Sequence, residues 1–394
     1  MARWLQFGLF LLAVTLFVGG SHFYVWRRLV HDTGLPGPWR HVGQWAAIGL
    51  ALMLPASFLL SRTLAPEFSR WVLFLPYFWM GLLVLLLFLL GLADLARFGS
   101  WVWAKAARSA WWLADPARRL LWFRWSAMAA TGVALVAALA GLYFARRPPA
   151  VVRHEVELPN LPRALDGLTI AHLSDLHLGP TLGREWLEDV VRRTNELRPD
   201  IVAITGDLVD GDVETLREVV EPLGALRAKY GVYFVTGNHE YYSGVEAWLA
   251  YLPALGIRIL HNEHVPVGPD DARLVLAGVD DHSSRGFAAG HGPDLAAALR
   301  GVAGHPPIVL LAHQPKAIFE ASARGVGLVL AGHTNGGQFW PWVPMVHLQQ
   351  PYVGGLHRHA GTWLYVTDGT GFWGPPLRLG TTGQIALFTL RAPR

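Results

Sequence analysis

The sequence predicts an N-terminal region of four transmembrane helices followed by an α/β domain. The first observation is composition, because 52% of the 394 residues are hydrophobic and the mean hydropathy is positive, which is unusual for a soluble protein. The second is a series of long uncharged runs at the start of the chain. The third is an alternation of short β-branched runs with amphipathic segments from Leu168 onward. Part of the chain is therefore expected to lie in lipid.

The four uncharged runs each approach the roughly 20 residues that a helix needs to cross a bilayer. They are Trp4 to Trp26, Gly43 to Ser61, Trp71 to Ala93 and Trp125 to Ala145. Tryptophans and arginines stand at their ends, where such side chains favour the headgroup region. We therefore predict a four-helix transmembrane anchor over residues 1–147, with the lipid bilayer as its partner.

The basic residues of the short loops predict the sidedness of this anchor. The first and third loops carry nine of them: Arg27, Arg28, Arg40, Arg97, Lys105, Arg108, Arg118, Arg119 and Arg124. The opposite side carries six: Arg3, Arg62, Arg70, Arg146, Arg147 and Arg153. Since the cytoplasmic side carries the excess of Lys and Arg, the prediction is a multi-pass protein of the inner (plasma) membrane with an extracytoplasmic C-terminal domain.

Charge and cysteine content exclude other classes. The formal net charge of +4 comes largely from arginines that flank apolar runs, so it indicates membrane-edge residues, and no nucleic-acid partner is expected. Cysteine is absent, which excludes disulfides and thiolate metal sites. Any metal must be held by His, Asp, Asn or Glu.

A proline-rich and charged stretch, residues 148–164, is predicted to link the anchor to the domain over residues 165–394. The predicted buried strands of this domain are LTIAHLS, IVAIT, VYFVTG, RLVLAG, IVLLAH and VGLVLAG, followed later by WLYVT and QIALFTL. Apolar residues at helical spacing predict helices over Arg184 to Leu197 and Val213 to Lys229.

Polar residues follow most of these strands, at the end of an α/β sheet where ligands bind. The candidates are Asp175, His177, Asp207, Asn238, His239, His313, His333 and Asn335. Carboxylates, imidazoles and amides without thiolates suit divalent Mn, Fe, Zn, Ni or Mg. So many donors favour two ions, which together can clamp a phosphoryl group and lower the pKa of a bound water. Glycines before Asp207, Asn238 and His333 would let the backbone bring these donors close.

Five motifs in this order resemble the calcineurin-like metallophosphoesterase family: D-x-H, G-D-x-x-D, G-N-H-E, A-H-Q-P and G-H-T-x-G-G-Q. The resemblance covers residues 165–392, and GHGPDL with GTGFWGPPLRLG resembles its bacterial membrane-attached branch. It implies two packed β-sheets flanked by helices and a dinuclear site whose bridging hydroxide attacks phosphorus. Its implied roles are Asp175 and His177 on the first ion, Asp207 on both, Asn238, His313 and His333 on the second, and His239 as phosphate ligand and proton donor.

Asn335 departs from the family pattern, which has a second histidine in the G-H-x-H motif to complete the first metal site. An amide oxygen is a weaker donor than imidazole to Zn-like ions. Three outcomes stay open: Asn335 ligates the metal, it orients a metal-bound water, or the first site is looser and favours Mg or Mn.

The sequence thus predicts a membrane-anchored, dinuclear phosphoesterase, a phosphodiesterase rather than a monoesterase. The alternative is a catalytically weak or inactive sensor or binding protein that has kept the fold. Residues 339–355 are unusually apolar, so they either contact lipid and a lipid-linked phosphoester or cap the sheet edge. Asp210 and Glu240 either support the ligands or cap a loop.

Overall fold

The computed structural model describes residues 2–61, 66–269, 272–287 and 289–393. The chain divides into two compact units, residues 1–64 with 71–142 and residues 65–70 with 143–394. The first unit is helical and the second contains two β-sheets.

Apolar helices make up the first unit. They are α1 (Ala2–Trp26), α2 (Gly37–Leu60), α3 (Pro66–Ala106) and α4 (Pro116–Ala145). Residues 66–70 of α3 and 143–145 of α4 are assigned to the second unit. Within the described part of the chain, three segments are long and apolar enough to cross a membrane: Gly37–Leu60, Phe68–Ala106 and Pro116–Ala145. The prediction of transmembrane helices is thus supported for three of the four runs. The run at α1 is helical, but its role as a fourth span stays a prediction.

A carboxylate in α3 is anchored by three polar side chains. Asp94 accepts hydrogen bonds from Tyr24 (2.7 Å) and Arg28 (3.0 Å), and Arg97 lies 3.4 Å from its other oxygen. Since a charge within an apolar helix is costly unless it is paired, these contacts explain how Asp94 is tolerated.

The second unit contains twelve strands among the residues that the structure describes. They are β1 (Ala150–Glu157), β2 (Thr169–Leu173), β3 (Ile201–Ile204), β4 (Val232–Phe234), β5 (Ile257–Ile259), β6 (Glu263–Val267), β7 (Leu274–Gly278), β8 (Ile308–Leu311), β9 (Leu328–Ala331), β10 (Gly355–His359), β11 (Thr362–Val366) and β12 (Gln384–Arg391). The helices are α5 (Arg184–Glu196), α6 (Val213–Val220), α7 (Asn238–Tyr242), α8 (Val245–Tyr251), α9 (Leu295–Ala298), α10 (Ile318–Ala323) and α11 (Val343–His347).

Two mixed six-stranded sheets form the frame of this unit. Their orders are β1-β12-β2-β3-β4-β5 and β10-β11-β9-β8-β7-β6. Strands β2 to β5 run parallel in the first sheet, and β7, β8, β9 and β11 run parallel in the second. The carboxyl ends of the parallel strands in each sheet therefore share one edge, which is where the candidate site residues follow.

The sheets pack face to face, as the resemblance implies. One buried cluster combines inward side chains of both sheets, including Ile170, Ile201, Leu276 and Leu330. The outer face of the first sheet packs on α5, α6 and α8, and that of the second packs on α9 and α10. Burying apolar side chains on both faces explains why the strands read as continuous hydrophobic runs.

Three features differ from the sequence-based prediction. The segment predicted as a linker, residues 148–164, contains strand β1, which pairs in parallel with β12. The helix predicted over Val213–Lys229 ends at Val220, because Pro222 follows and the chain tightens into a 3₁₀ turn. Short strands β5, β6 and β10 lack a clear apolar alternation and were not predicted.

Candidate metal centre

Loops and a short helix that follow five parallel strands carry the residues proposed from the sequence. Asp175 and His177 follow β2, Asp207 follows β3, and Asn238 opens α7 after β4. The remaining donors follow β8 and β9: His313, His333 and Asn335. The carboxyl ends of the parallel strands of the two sheets bring these residues into one cluster.

Several of these residues have a left-handed backbone that non-glycine residues rarely adopt. The φ angles of Asp175, His177, Asp207, His333 and Asn335 lie between 48° and 72°. Backbone hydrogen bonds hold two of the turns, from Asp175 N to the Gly206 carbonyl (3.0 Å) and from His177 N to the Asp207 carbonyl (3.0 Å). Strain of this kind persists where the surroundings over-determine the conformation, and it concentrates at functional sites.

The first group of donors is Asp175, His177 and Asp207, whose ligand atoms all lie within 4.8 Å of one another. His177 Nε2 is 3.9 Å from Asp175 Oδ1 and 3.9 Å from Asp207 Oδ2. This nitrogen is buried and has no hydrogen-bond partner. A buried imidazole nitrogen without a partner, between two carboxylates, has the geometry expected of a metal ligand.

The second group is Asp207, His313 and His333, again within 4.8 Å. His313 Nε2 lies 3.2 Å from Asp207 Oδ2 and 3.2 Å from His333 Nδ1. His313 Nδ1 donates to the Thr205 carbonyl at 2.7 Å, which leaves Nε2 directed into the cluster. Asp207 belongs to both groups, so it is placed to bridge two ions.

Burial and the neighbouring charges shift the pKa values of these donors in opposite directions. Burial raises the pKa of Asp175. Burial opposes ionisation of Asp207 as well, but His313 and His239 outweigh it and hold the pKa of Asp207 well below its usual value. Burial disfavours protonation of His313, yet Asp207 outweighs it and raises the pKa of His313. The negative charge of Asp207 that stabilises a proton on His313 would also stabilise a divalent cation there. The cation would replace the proton and bind the neutral imidazole.

His333 differs from its neighbour. Burial, together with the adjacent His313, lowers the pKa of His333 to about 4, so its imidazole is neutral at physiological pH. Its backbone N–H donates to both carboxylate oxygens of Asp175, at 3.0 and 3.1 Å. A neutral imidazole is the form that binds a metal.

Asn238 lies at the start of α7, where glycine is needed before it. A β-carbon on Gly237 would overlap the Asp207 carboxylate, and one on Gly332 would overlap that of Asp175. The carbonyl oxygen Oδ1 of Asn238 is buried without a partner. The next residue, His239, donates its backbone N–H to Asp207 Oδ1 at 2.9 Å, which ties α7 to the cluster.

Asp210 orients two imidazoles at once. Its Oδ1 accepts hydrogen bonds from His239 Nδ1 (2.6 Å) and His177 Nδ1 (3.1 Å). Burial disfavours the charged form of His239, but Asp207 and Asp210 outweigh it and raise the pKa of His239 to about 9. Of the two roles left open by the sequence, the observed contacts correspond to ligand support, and the G-D-x-x-D spacing was the available signal.

Asn335 contacts the cluster through Asp175. Its Nδ2 donates to Asp175 Oδ1 at 3.2 Å, and its Oδ1 is buried without a partner. The amide group therefore holds the carboxylate of Asp175 through Nδ2, and its Oδ1 is available to bind a metal or a water. The three outcomes considered for this position stay open.

Glu240 supports the loop that carries Asp207. Its buried carboxylate accepts backbone N–H groups of Gly237 (2.6 Å), Asp207 (3.0 Å) and Leu208 (2.7 Å), and burial raises the pKa of Glu240 to about 7. The sequence left its role open between ligand support and loop capping. The contacts assign it the task of joining two motif loops through their backbones.

The residues present fit a pair of divalent cations. Three buried atoms of the cluster that could ligate a metal have no hydrogen-bond partner: His177 Nε2, Asn238 Oδ1 and Asn335 Oδ1. The surrounding set of carboxylates, imidazoles and amides suits hard or borderline divalent metals, and it does not single out one of them.

Comparison with known proteins agrees with this geometry. The family model described as "Calcineurin-like phosphoesterase" matches residues 168–336. A zebrafish (Danio rerio) protein named "Transmembrane protein with metallophosphoesterase domain" is 38% identical over 399 residues, covering 98% of this chain and 89% of its own. A Bos taurus protein of the same name is 44% identical over 271 residues, 66% of this chain and 61% of that protein.

A bacterial relative matches more than half of this chain. An "Uncharacterized metallophosphoesterase" of Aquifex aeolicus is 34% identical over 251 residues, 63% of this chain and 93% of its own. The relatives thus come from vertebrates and bacteria alike. The chain belongs to the calcineurin-like metallophosphoesterase family and is a metal-dependent phosphoester hydrolase.

Proposed function

We propose that this protein is a membrane-anchored phosphodiesterase with two divalent cations. One cation would be held by Asp175, His177 and Asp207, with Asn335 beside it. The other would be held by Asp207, Asn238, His313 and His333. The observation that carries the proposal is the buried cluster in which Asp207 belongs to both donor groups.

Two bound cations would lower the pKa of water at the cluster and neutralise charge on the phosphoryl oxygens. The chain's own residues would do the rest. Asp175 and Asp207 supply the negative charge that attracts the cations, and the strained loops fix the donors before substrate arrives, so little reorganisation is needed. Glu240 and Asp210 keep the loops and the imidazoles in place.

His239 is proposed as the proton donor to the leaving oxygen. Burial opposes the charged form, but Asp207 and Asp210 raise its pKa to about 9, and Asp210, which holds no cation in this proposal, keeps the Nδ1 proton in place. With Nδ1 bound to Asp210 and Nε2 3.9 Å from Asp207 Oδ2, the ring presents Nε2 to the cluster. A positioned general acid of this kind contributes about 10²- to 10⁴-fold to rate.

The engagement of a buried arginine near Asp175 supports a diester over a monoester as the substrate. The guanidinium of Arg378 is buried and donates to backbone carbonyls, among them those of Asp368 (2.8 Å) and Gly371. This guanidinium is therefore engaged by the backbone and does not offer a bidentate contact to the dianion of a monoester. A diester, with one negative charge, does not require that contact.

The experiment is hydrolysis of bis-p-nitrophenyl phosphate by the purified full chain in detergent with added Mn²⁺. We expect turnover that EDTA abolishes and that His239→Ala reduces by about 10²-fold or more. Silence at every metal concentration would contradict the proposal and favour the inactive sensor that Asn335 raised as the alternative.

Membrane attachment and orientation belong to the same proposal. We propose four spans, counting α1, in an inner (plasma) membrane, with the catalytic domain outside the cytoplasm, because basic residues are more numerous in the first and third loops. Placement in the bacterial membrane-attached branch likewise rests on the GHGPDL and GTGFWGPPLRLG stretches.

A lipid-linked phosphoester is the proposed substrate class. In residues 339–355, the side chains of Trp340, Trp342, Met345 and Leu348 are exposed, which supports contact of this segment with acyl chains. Replacing Trp340 and Trp342 with serine should lower turnover of a lipid phosphoester several-fold more than turnover of bis-p-nitrophenyl phosphate. Equal losses on both substrates would overturn the lipid contact.

A further inference from the structure

Exposed aromatic rings surround the proposed proton donor. The His239 ring centroid lies 5.5 Å from that of Tyr242 and 5.7 Å from that of Trp373, and Tyr242 lies 5.4 Å from Phe287. Tyr242, Phe287 and Trp373 are 54%, 60% and 48% exposed, and we call them the aromatic rim. Exposing large aromatic side chains to water is unfavourable. A ligand that covers them gains binding free energy by removing this surface from water.

The proposed metal-binding motif holds one member of the rim, Trp373, in place. Gln338, which ends the G-H-T-N-G-G-Q motif, accepts the Trp373 backbone N–H at 2.9 Å and donates to the Trp373 carbonyl at 2.8 Å and the Pro375 carbonyl at 3.0 Å. Its own φ of 53° is left-handed. The loop that presents His333 is thereby connected to the loop that presents Trp373, so the indole has a fixed place beside His239.

We infer that the aromatic rim is the binding site for the leaving group, and that it selects a phosphodiester whose leaving alcohol carries an alkyl or acyl chain. The inference rests on the proposed function, in which His239 protonates the leaving oxygen. The oxygen that receives this proton must lie within hydrogen-bond reach of His239 Nε2. The substituent on that oxygen then extends over the rings that flank His239.

The reaction balances with water as the second reactant. A new bond forms between the water oxygen and phosphorus, and the bond from phosphorus to the leaving oxygen breaks. The electron pair of the broken bond stays on the leaving oxygen, which takes the proton of His239 and departs as the alcohol. The water proton is lost to solvent, and His239 regains a proton from there.

Ring geometry favours an alkyl chain over a stacked base. The planes of Tyr242 and Phe287 meet at 62°, and His239 meets Tyr242 at 65° and Trp373 at 73°. Sandwiching a flat base between two rings needs parallel faces, whereas edge-to-face rings form an uneven surface that a flexible chain can follow. The apolar spans of the same chain support this choice, because they would keep the enzyme where acyl-bearing substrates reside.

A single substrate with two different alcohols tests the inference. Butyl methyl phosphate can release butanol or methanol, and the two alcohols have similar intrinsic leaving ability. The ratio of the products therefore reports which substituent occupies the rim and does not depend on total activity. Each buried methylene is worth up to about fourfold, so partial burial of three predicts that butanol exceeds methanol by about fivefold to tenfold.

The variants follow from the contacts. Trp373→Ala and Tyr242→Ala should bring the ratio to within about twofold of one, with Phe287→Ala intermediate, since Phe287 contacts Tyr242 and not the imidazole. Phe319→Ala is the matched control, because Phe319 is 53% exposed and packs on His359. It should leave the ratio unchanged.

The outcomes separate the inference from the proposed function. Absence of bis-p-nitrophenyl phosphate hydrolysis defeats the proposed function. If bis-p-nitrophenyl phosphate is hydrolysed but butyl methyl phosphate is not, the proposed role of the rim is overturned. A butanol-to-methanol ratio near one from butyl methyl phosphate overturns that role as well, and neither result affects the proposed function. A methyl ester of thymidine 5′-phosphate that releases thymidine with a greater bias than butanol would assign the rim to a base instead of a chain.

Discussion

The two sides of the donor cluster are built differently, although Asp207 serves both. The His313 side places two imidazoles, those of His313 and His333, next to Asp207. The Asn335 side has one imidazole, that of His177, and an amide where the family pattern has a histidine. The His313 side is thus rich in the donors that borderline metals prefer, and the Asn335 side depends more on oxygen.

In the proposed dinuclear site, this difference gives one firm metal position and one adjustable position. His313 is fixed by its bond to the Thr205 carbonyl, and His333 by its backbone bonds to Asp175. Asn335 contacts Asp175 through one end of its amide only. We therefore expect the cation on the His313 side to bind more tightly and the one on the Asn335 side to depend on metal concentration.

The largest effect should come from the residue that the sides share. Asp207→Asn removes the bridging charge, so we expect both metals to be lost and kcat/KM for bis-p-nitrophenyl phosphate to fall by about 10³-fold or more. Metal content by mass spectrometry and kinetics measure the two effects.

Asp212→Asn is the matched control for this change. Asp212 caps α6 through the Thr215 N–H, and asparagine caps a helix about as well as aspartate. If Asp207→Asn retained two metals per chain and wild-type turnover, the bridging role of Asp207 would be wrong.

The next effect distinguishes the sides directly. Asn335→Ala removes a hydrogen bond to Asp175 and an unpartnered oxygen, and changes around a metal ligand typically cost about 10- to 100-fold in metal affinity. A titration of activity with Mn²⁺ should show saturation only at higher concentration, with kcat largely recovered. His313→Ala should not be rescued in this way. Equal Mn²⁺ requirements for the two variants would contradict the comparison.

Asp210 on the Asn335 side provides a pH test. The raised pKa of His239 depends on Asp207 and then on Asp210, so Asp210→Asn should lower that pKa. Since the proton donor must be protonated, activity is lost as pH rises through its pKa, and the alkaline limb of the pH–rate profile should move to lower pH. A limb that stays in place while kcat falls would assign Asp210 a structural role only.

Much of this site could be predicted from the sequence because strand ends and motif spacing are local. Asp175 and Asp207 each follow a buried apolar run, and the parallel order of the sheet then brings them together. Other features depend on distant partners. Strand β1 carries charged residues and pairs on one side only, so the sequence predicted a linker there. The hydrogen bond between Gln338 and Trp373 joins residues that no local sequence pattern connects.

The smallest predicted effect concerns the pH dependence of stability through His172, which bonds Thr205 next to His313. Burial lowers the pKa of His172 to about 3, and its Nε2 bonds the Thr205 hydroxyl at 2.7 Å. The unfolded chain protonates this residue below about pH 6.5 while the folded chain does not, so its contribution to stability is lost as pH falls, by about 1.4 kcal/mol per unit.

His172→Gln, which can keep a bond to Thr205, should flatten this dependence. Thermal unfolding of the intact protein in detergent at pH 7.5 and pH 5.0 would show a smaller shift in Tm for the variant than for the wild type. His305→Gln, at an exposed position, is the control. An unchanged shift in the His172 variant would remove this residue from the account.

Anomalous diffraction from crystals grown with Mn²⁺ would test the central claim most directly. We predict two peaks on either side of Asp207, about 3.5 to 4 Å apart, one beside His313 and His333 and a weaker one beside His177 and Asn335. A single peak at Mn²⁺ concentrations that saturate activity, or two peaks that do not share Asp207, would contradict a dinuclear site.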